Sequence, residues 1–295
     1  MMDATILIPT FRHAALLPFS VRSALDQENA SVEVFVVGDG VEDDTRAALE
    51  PFVDDARVRF FDFPKGARHG ELNRHEALRE ASGEIVCYLS DDDLLLPGHV
   101  SEMRTLLADA DLAHSPHFWI DLDGTLNFLP RNMARADFVE VARSGTESIG
   151  LSGAAHTLEG YRRLPHGWRT TPDGEHTDHH MWLQWLGIPG FRGAAGSHTT
   201  FLWFPSIVWE KIDVSERATA LESWFHRSRE PGFAEELDTL TRSAVLRSAE
   251  DENLRAQAEK RALEDVLATR TWRLRESLVS ARPLRALLAR RRGAR

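Results

Sequence analysis

The first 120 residues exchange short apolar runs for helically spaced segments with a regularity that leaves few folds open. TILIP is followed by AALLPFSVRSALDQ, VEVFVV by a helical stretch from Asp43 through Phe52, VRFFDF by ELNRHEALREA, and EIVCYL by PGHVSEMRTLLADA with Pro97 near its start. Runs this rich in Val, Ile, Leu and Phe offer no polar face to water, which predicts strands covered on both sides by the intervening helices. The expected fold class is α/β: a mostly parallel, Rossmann-like sheet flanked by helices. Sheets of this kind take ligands beyond the carboxyl ends of their strands.

Three of the expected strand ends carry polar groups that would open onto one edge. They are Pro9-Thr10-Phe11-Arg12-His13, Gly38-Asp39-Gly40 and Ser90-Asp91-Asp92-Asp93. Three adjacent carboxylates repel one another, so they need a cation, a polar ligand or solvent to relieve them. Two aspartates at a chain turn can reach one Mg2+ or Mn2+, ions that prefer carboxylate oxygens and leave the rest of their shell to water and phosphate. The simpler alternative for the acids is a solvated turn with one aspartate capping a helix. Asp39 between two glycines is likewise either a turn residue or a carboxylate placed to accept hydrogen bonds from a base or ribose.

Beyond residue 120 the pattern changes. HSPHFWIDLDG and GTLNFLP read as a hairpin, and residues 151–205 are rich in aromatics, histidines and glycines, as specificity surfaces often are. From residue 231 the chain is polar and helical with a thin stripe of leucines. Three segments are thus expected: a regular α/β half at 1–120, a loop-rich second half of the same domain at 121–230, and a helical, basic extension at 231–295.

Charge and cysteine content exclude several roles. The net charge is −11, but the stretch from Arg270 to Arg295 carries +8, which leaves −19 on the rest. A body this acidic does not suit nucleic acid, whose phosphates are held by Lys and Arg. The single cysteine, Cys87, lies inside IVCYL, so disulfides and zinc–cysteine sites are ruled out. No run of 18 apolar residues occurs, and MMDATILIPTF lacks the features of a signal peptide, which makes a cytoplasmic chain the expectation. The arginine–leucine tail fits peripheral contact with the inner face of an anionic membrane, an oligomerisation helix or a solvated terminus.

TILIPTFRH, VEVFVVGDGVEDDT, HGELNRHEALREASGEIVCYLSDDD and the later HTDHHMW together resemble a family 2 glycosyltransferase with the GT-A fold. The resemblance covers roughly residues 4–210. It implies transfer of a sugar, of the hexosyltransferase type, from a nucleotide diphosphate sugar with a UDP-sugar favoured. The acceptor would be a glycan or a lipid-linked molecule, the setting surface polysaccharide assembly, and the cofactor Mn2+ or Mg2+ bridging the diphosphate. Pro9, Thr10, Phe11 and Arg12 then match the segment around the nucleobase and ribose, Asp39 the residue paired with the base, and Asn73 and Arg74 the segment under the diphosphate. Asp91 matches the acid near the ribose and Asp92 the metal ligand of the DXD motif, with Asp93 a second ligand. Gly38 stands where the family often has aspartate, and Ser90 replaces the first acid of a four-acid run. An alternative is a nucleotidyltransferase or other nucleotide-sugar enzyme on a similar sheet, although PTFRHAALLP lacks the glycine-rich loop such enzymes carry after their first strand. A non-catalytic nucleotide- or glycan-binding module is the third.

In GEHTDHHMWLQWL, Asp178 matches the family's acid at the start of the acceptor-side helix, and an inverting transfer needs a carboxylate to take the acceptor's proton. Asp178 is therefore the expected base, the alternative being that it or Thr177 only caps the helix. His198 is expected to face the diphosphate or the metal. A zinc site among His176, His179, His180 and His198 is disfavoured, because no H-E-x-x-H pattern is present. Of the four tryptophans in this region, Trp168 is the one expected to stack on an acceptor sugar.

Overall fold

The computed structural model describes residues 2–268. The strands are β1 (Ala4–Thr10), β2 (Val32–Asp39), β3 (Val58–Phe63), β4 (Ile85–Tyr88), β5 (Leu94–Leu95), β6 (Leu112–His114), β7 (His117–Ile120), β8 (Leu126–Leu129), β9 (Ala154–Thr157), β10 (Gly193–Ala195) and β11 (Phe201–Leu202). The helices are α1 (Leu17–Leu25), α2 (Asp43–Leu49), α3 (Glu71–Leu78), α4 (His99–Leu107), α5 (Ala136–Arg143), α6 (Leu158–Arg163), α7 (Thr177–Leu186), α8 (Ser206–Trp209), α9 (Val214–Arg227) and α10 (Phe233–Ala268). Seven strands form one sheet in the order β10-β6-β9-β4-β1-β2-β3, and the expected hairpin is β7–β8.

The period of two along each strand sorts side chains to opposite faces. Ile6, Ile8, Val34, Val36, Ile85 and Cys87 point to one side, where they pack with Leu17, Val21 and Ala24 of α1 and Val100 and Met103 of α4. Leu7, Phe35, Val37, Val86 and Tyr88 point to the other, against Ala77 and Leu78 of α3 and the indoles of Trp168, Trp182 and Trp185. Strands β4, β1, β2 and β3 are parallel, and β9 runs antiparallel between β4 and β6. Both faces being covered explains why these strands read as continuous apolar runs.

Pairing of Leu7 with Tyr88 and of Thr10 with Gly38 places the ends of β4, β1 and β2 side by side. A third apolar layer lies beyond them, where Leu94 and Leu202 meet Trp209, Leu221, Phe225, Phe233 and Leu237. The compact unit accordingly runs through Ala244, because the first turns of α10 supply buried side chains, where the leucine pattern alone had placed everything from 231 in an extension. In the second unit, Val245–Arg295, residues 245–268 are helical and exposed, with Leu246, Leu254 and Leu263 open to solvent. The basic stretch proposed for membrane contact or oligomerisation, 270–295, lies outside the described residues. Among the described residues no helix is long and apolar enough to cross a membrane.

Candidate active site

A cleft of about 790 Å³ opens at the shared strand-end rim. Pro9 and Thr10 at the end of β1 with Phe11 to His13 beyond it, Asp39 of β2, and Ser90, Asp91 and Asp92 after β4 form its floor. Lys65, Arg68, His69, Gly70 and Arg74 line one wall, Glu175 to Asp178 another, and Ser206 and Glu210 the rim near α8.

Asp39 organises the first wall. Its Oδ2 accepts from Lys65 Nζ at 2.5 Å, while Oδ1 accepts from the backbone N–H of Gly66 at 2.6 Å and from Asn73 Nδ2 at 2.9 Å. A carboxylate offers about four acceptor positions, so one remains for a ligand. Gly70 precedes α3 in the left-handed region at φ 69°, and a Cβ there would lie 2.4 Å from Asp39 Cγ. Two cations lie over the Phe11 ring, Arg12 at 4.6 Å and Lys65 at 5.1 Å from its centroid.

On the acid side, His13 Nδ1 stands 2.8 Å from Asp91 Oδ1 and 3.9 Å from Asp92 Oδ2, and Arg217 Nη2 donates to Asp92 Oδ2 at 3.0 Å. Burial works against a charged His13, but its hydrogen bond to Asp91 and the charges of Asp91 and Asp92 prevail and lift its pKa to about 9. Burial, then the Asp91 charge, raises Asp92 to about 6. Ligand atoms of His13, Asp91 and Asp92 all lie within 4.8 Å of one another, the oxygen-plus-imidazole set that suits Mn2+. These residues therefore fit a divalent ion of the kind the resemblance implies.

Asp178 sits in the first turn of α7, half-buried, and no side chain caps that helix. Burial raises its pKa; the charge of Arg74 and a hydrogen bond from the Leu151 backbone N–H pull in the other direction. Arg74 is buried with its guanidinium 4.7 Å over the Trp168 ring, and Nη2 donates to the His69 carbonyl at 3.1 Å. Its Nε and Nη1 are buried with no hydrogen-bond partner, so two donors at the cleft wall await an acceptor. Beneath them the buried carboxylate of Glu71 accepts from the His69 and Thr171 backbone N–H groups and the Thr177 hydroxyl, tying the 65–70 loop to the start of α7.

Pro9, Thr10, Phe11, Arg12, Asp39, Arg74, Asp91, Asp92 and Asp178 thus share one cleft. Four expected residues do not. Asp93 turns inward, accepting from Ser152 Oγ at 2.5 Å and from the Phe204 backbone N–H at 2.8 Å, and ties the acid turn to the neighbouring chain. His198 is largely exposed, bonded to Asp238 at 2.8 Å and lining a separate concavity with Glu102, which corrects its assignment as a ligand. Trp168, 1% exposed, donates its indole N–H to Tyr88 Oη at 2.9 Å and carries Arg74, so it is a core residue and not an acceptor platform. Asn73 spends its amide on Asp39 and the Pro64 carbonyl. His180 is held between Glu175 and Arg169, which leaves no zinc constellation among the described residues.

Sequence reasoning gave no role to His13, Lys65, Glu71 and Arg217. His13 was placed at a strand end, without its link to Asp91. Glu71 and Arg217 are distant in the chain from what they hold, Arg217 by 125 positions, and leave no local pattern.

The sheet and its rim define the GT-A class of glycosyltransferase folds. The mannosyltransferase PcManGT of Pyrobaculum calidifontis, solved with GDP-Man and Mn2+, superposes with a TM-score of 0.51 at 18% identity, covering 97% of this chain and 85% of that one. S. aureus TarS in complex with UDP-GlcNAc gives 0.54 at 13% identity, over 69% and 59% of the two chains. Residues 5–166 match the model of glycosyl transferase family 2, and the chain belongs to that family. This decides against the nucleotidyltransferase alternative. Among curated relatives, the GalNAc(5)-diNAcBac-PP-undecaprenol beta-1,3-glucosyltransferase of Campylobacter jejuni is 30% identical over 131 residues, 43% of this chain and 41% of its own. The succinoglycan biosynthesis protein ExoO of Rhizobium meliloti is 31% identical over 124 residues, 41% and 35% respectively. The chain therefore spans well under half the length of these relatives.

Proposed function

We propose that this protein transfers a sugar from a nucleotide diphosphate sugar to a glycan or lipid-linked acceptor, with inversion at the sugar carbon. The observation that carries the reading is that Asp39, the Asp91–Asp92 pair and Asp178 line one cleft. Asp39 and the Phe11 ring receive the nucleoside, and the unpartnered N–H groups of Arg74 face the anionic part of the donor. Asp91 and Asp92 would hold a divalent ion, with His13 able to join them only on giving up its proton; when bound, the ion supplies charge neutralisation to the leaving diphosphate. Asp178 takes the proton of the acceptor hydroxyl as its oxygen bonds to the sugar carbon, and the bond to the diphosphate oxygen breaks with its electron pair leaving on the nucleotide. Burial of Asp178 keeps its pKa above that of an ordinary carboxylate, which makes it a better base than a solvated one.

A UDP-sugar is the first donor to try, since TarS was captured with UDP-GlcNAc, and GDP-mannose the second. The undecaprenol-linked substrate in the Campylobacter relative's name favours a lipid-linked acceptor and work at the inner membrane face, where the +8 tail would meet anionic lipid. The test is a thermal-shift screen of nucleoside diphosphates with and without Mn2+, followed by turnover of Asp178→Asn with the donor so identified. One nucleotide should stabilise the protein in a Mn2+-dependent way, and the variant should keep donor affinity while losing at least about 100-fold in kcat. Normal turnover in the variant would remove Asp178 as the base.

A further inference from the structure

Arg217 has no part in the scheme above, yet it makes one of the most buried ion pairs in the molecule. Both side chains are about nine-tenths buried, at 8% exposure for Arg217 and 10% for Asp92. The arginine comes from α9, whose Leu221 and Phe225 pack with Leu94 and Leu96 just beyond the acid turn. Just before α9, the α8 segment supplies Ser206 and Glu210 to the cleft rim. Arg217 on Asp92 thus already gives this carboxylate a permanent counter-charge at 3.0 Å.

That balance has a consequence for any ion the acids bind. A divalent cation held by Asp92 puts two further positive charges within a few ångströms of a guanidinium that shares the same carboxylate. In a site so shielded from water, repulsion between like charges is strong. We infer that Arg217 is a displaceable counter-ion, a positioning residue that occupies Asp92 in the metal-free enzyme and gives it up when the divalent ion is bound. Two properties follow: Arg217 weakens metal affinity in the absence of donor, and its release loosens the α8–α9 rim. The inference rests on the metal-site reading under Proposed function. It concerns this chain's own arginine and makes no claim about the chemistry of transfer.

The test is Mn2+ binding without nucleotide, followed by electron paramagnetic resonance or calorimetry, on the wild type, Arg217→Met, Arg217→Lys and Asp92→Asn. Arg217→Met should bind Mn2+ about tenfold or more tightly. Arg217→Lys, which keeps the charge but loses the planar fork, should lie between it and the wild type and guards against a fold defect in the methionine variant. Saturating Mn2+ should also speed amide exchange across residues 206–227 in the wild type and leave Asp92→Asn unchanged. Equal or weaker Mn2+ affinity in both arginine variants, or no change in exchange, overturns the role given to Arg217 while leaving the metal site standing. No Mn2+ binding by the wild type overturns the metal site, and this inference with it.

Discussion

Replacing Gly70 with alanine tests how the wall proposed to receive the nucleotide is built. Two costs add at this position. The left-handed backbone, φ 69°, penalises any residue with a Cβ by about 1–2 kcal/mol. The new methyl would also sit 2.4 Å from Asp39 Cγ, 2.7 Å from Oδ2 and 2.8 Å from Oδ1, so the carboxylate must move off at least one of its three donors. Lys65 is 41% exposed and can turn to water, which limits that second loss to about 1–2 kcal/mol. The sum, about 3 kcal/mol, corresponds to a melting temperature lower by roughly 6–12 °C for a domain of this size. Gly174 supplies the control: its φ of 85° carries the same backbone penalty, but nothing lies within 4 Å of its Cβ. Calorimetry and nucleotide titration of Gly70→Ala, Gly174→Ala and the wild type separate the two costs. Gly174→Ala should lose about 1–2 kcal/mol with unchanged nucleotide affinity, and Gly70→Ala should lose more and bind nucleotide about tenfold less tightly. Identical behaviour of the two variants would refute the claim that Asp39 and Gly70 form one contact on which nucleotide binding depends.

Three other outcomes can be checked with purified protein. Trp168→Phe should cost about 2–4 kcal/mol in chemical denaturation, because the Tyr88 hydrogen bond and the support under Arg74 are lost together; a neutral effect would return Trp168 to the acceptor surface. His114 accepts the Met133 backbone N–H on Nε2 while donating from Nδ1 to the Ser115 carbonyl, and His156, donating to the Thr157 carbonyl, accepts from Tyr88 Oη, so both are locked neutral. Burial depresses both from 6.5 to about 4, so their unfolded forms bind protons first: stability from this source is complete above pH 6.5 and drains away as pH falls toward 4, by at most about 3 kcal/mol each. A denaturation midpoint flat between pH 7 and 5 would contradict it. His198→Ala should change stability by less than about 0.5 kcal/mol and bind Mn2+ as the wild type does, whereas a selective loss of Mn2+ binding would restore it as a ligand.

The strands were legible because sheet burial writes a period of two and an apolar run into local sequence, and VRFFDF matches β3 residue for residue. Strand ends then marked the cleft, since parallel neighbours must deliver their carboxyl ends to one rim. What stayed hidden was direction. Asp91, Asp92 and Asp93 are indistinguishable in the sequence, yet the turn after β4 sends two to the cleft and one inward to Ser152 and Phe204. Trp168 was misjudged for a related reason, as an indole in a loop-rich stretch does not say whether it faces a sugar or Tyr88. Leu237 was read as part of an outlying stripe because its partners, Leu94 and Leu202, lie far back in the chain.

The order β4-β1-β2 fixes the distances over which a donor would be gripped. Neighbouring strands stand about 4.8 Å apart, so the outer two of the three ends are separated by roughly 10 Å, a gauge set by backbone hydrogen bonds and indifferent to loop sequence. Asp178, by contrast, hangs from a helix whose position depends on the connection from Leu164 to His176. That connection also carries Trp168 under Arg74 and Thr171 on Glu71, so the helix bearing Asp178 and the wall bearing Arg74 are set by one stretch of chain, and a change in its length moves both.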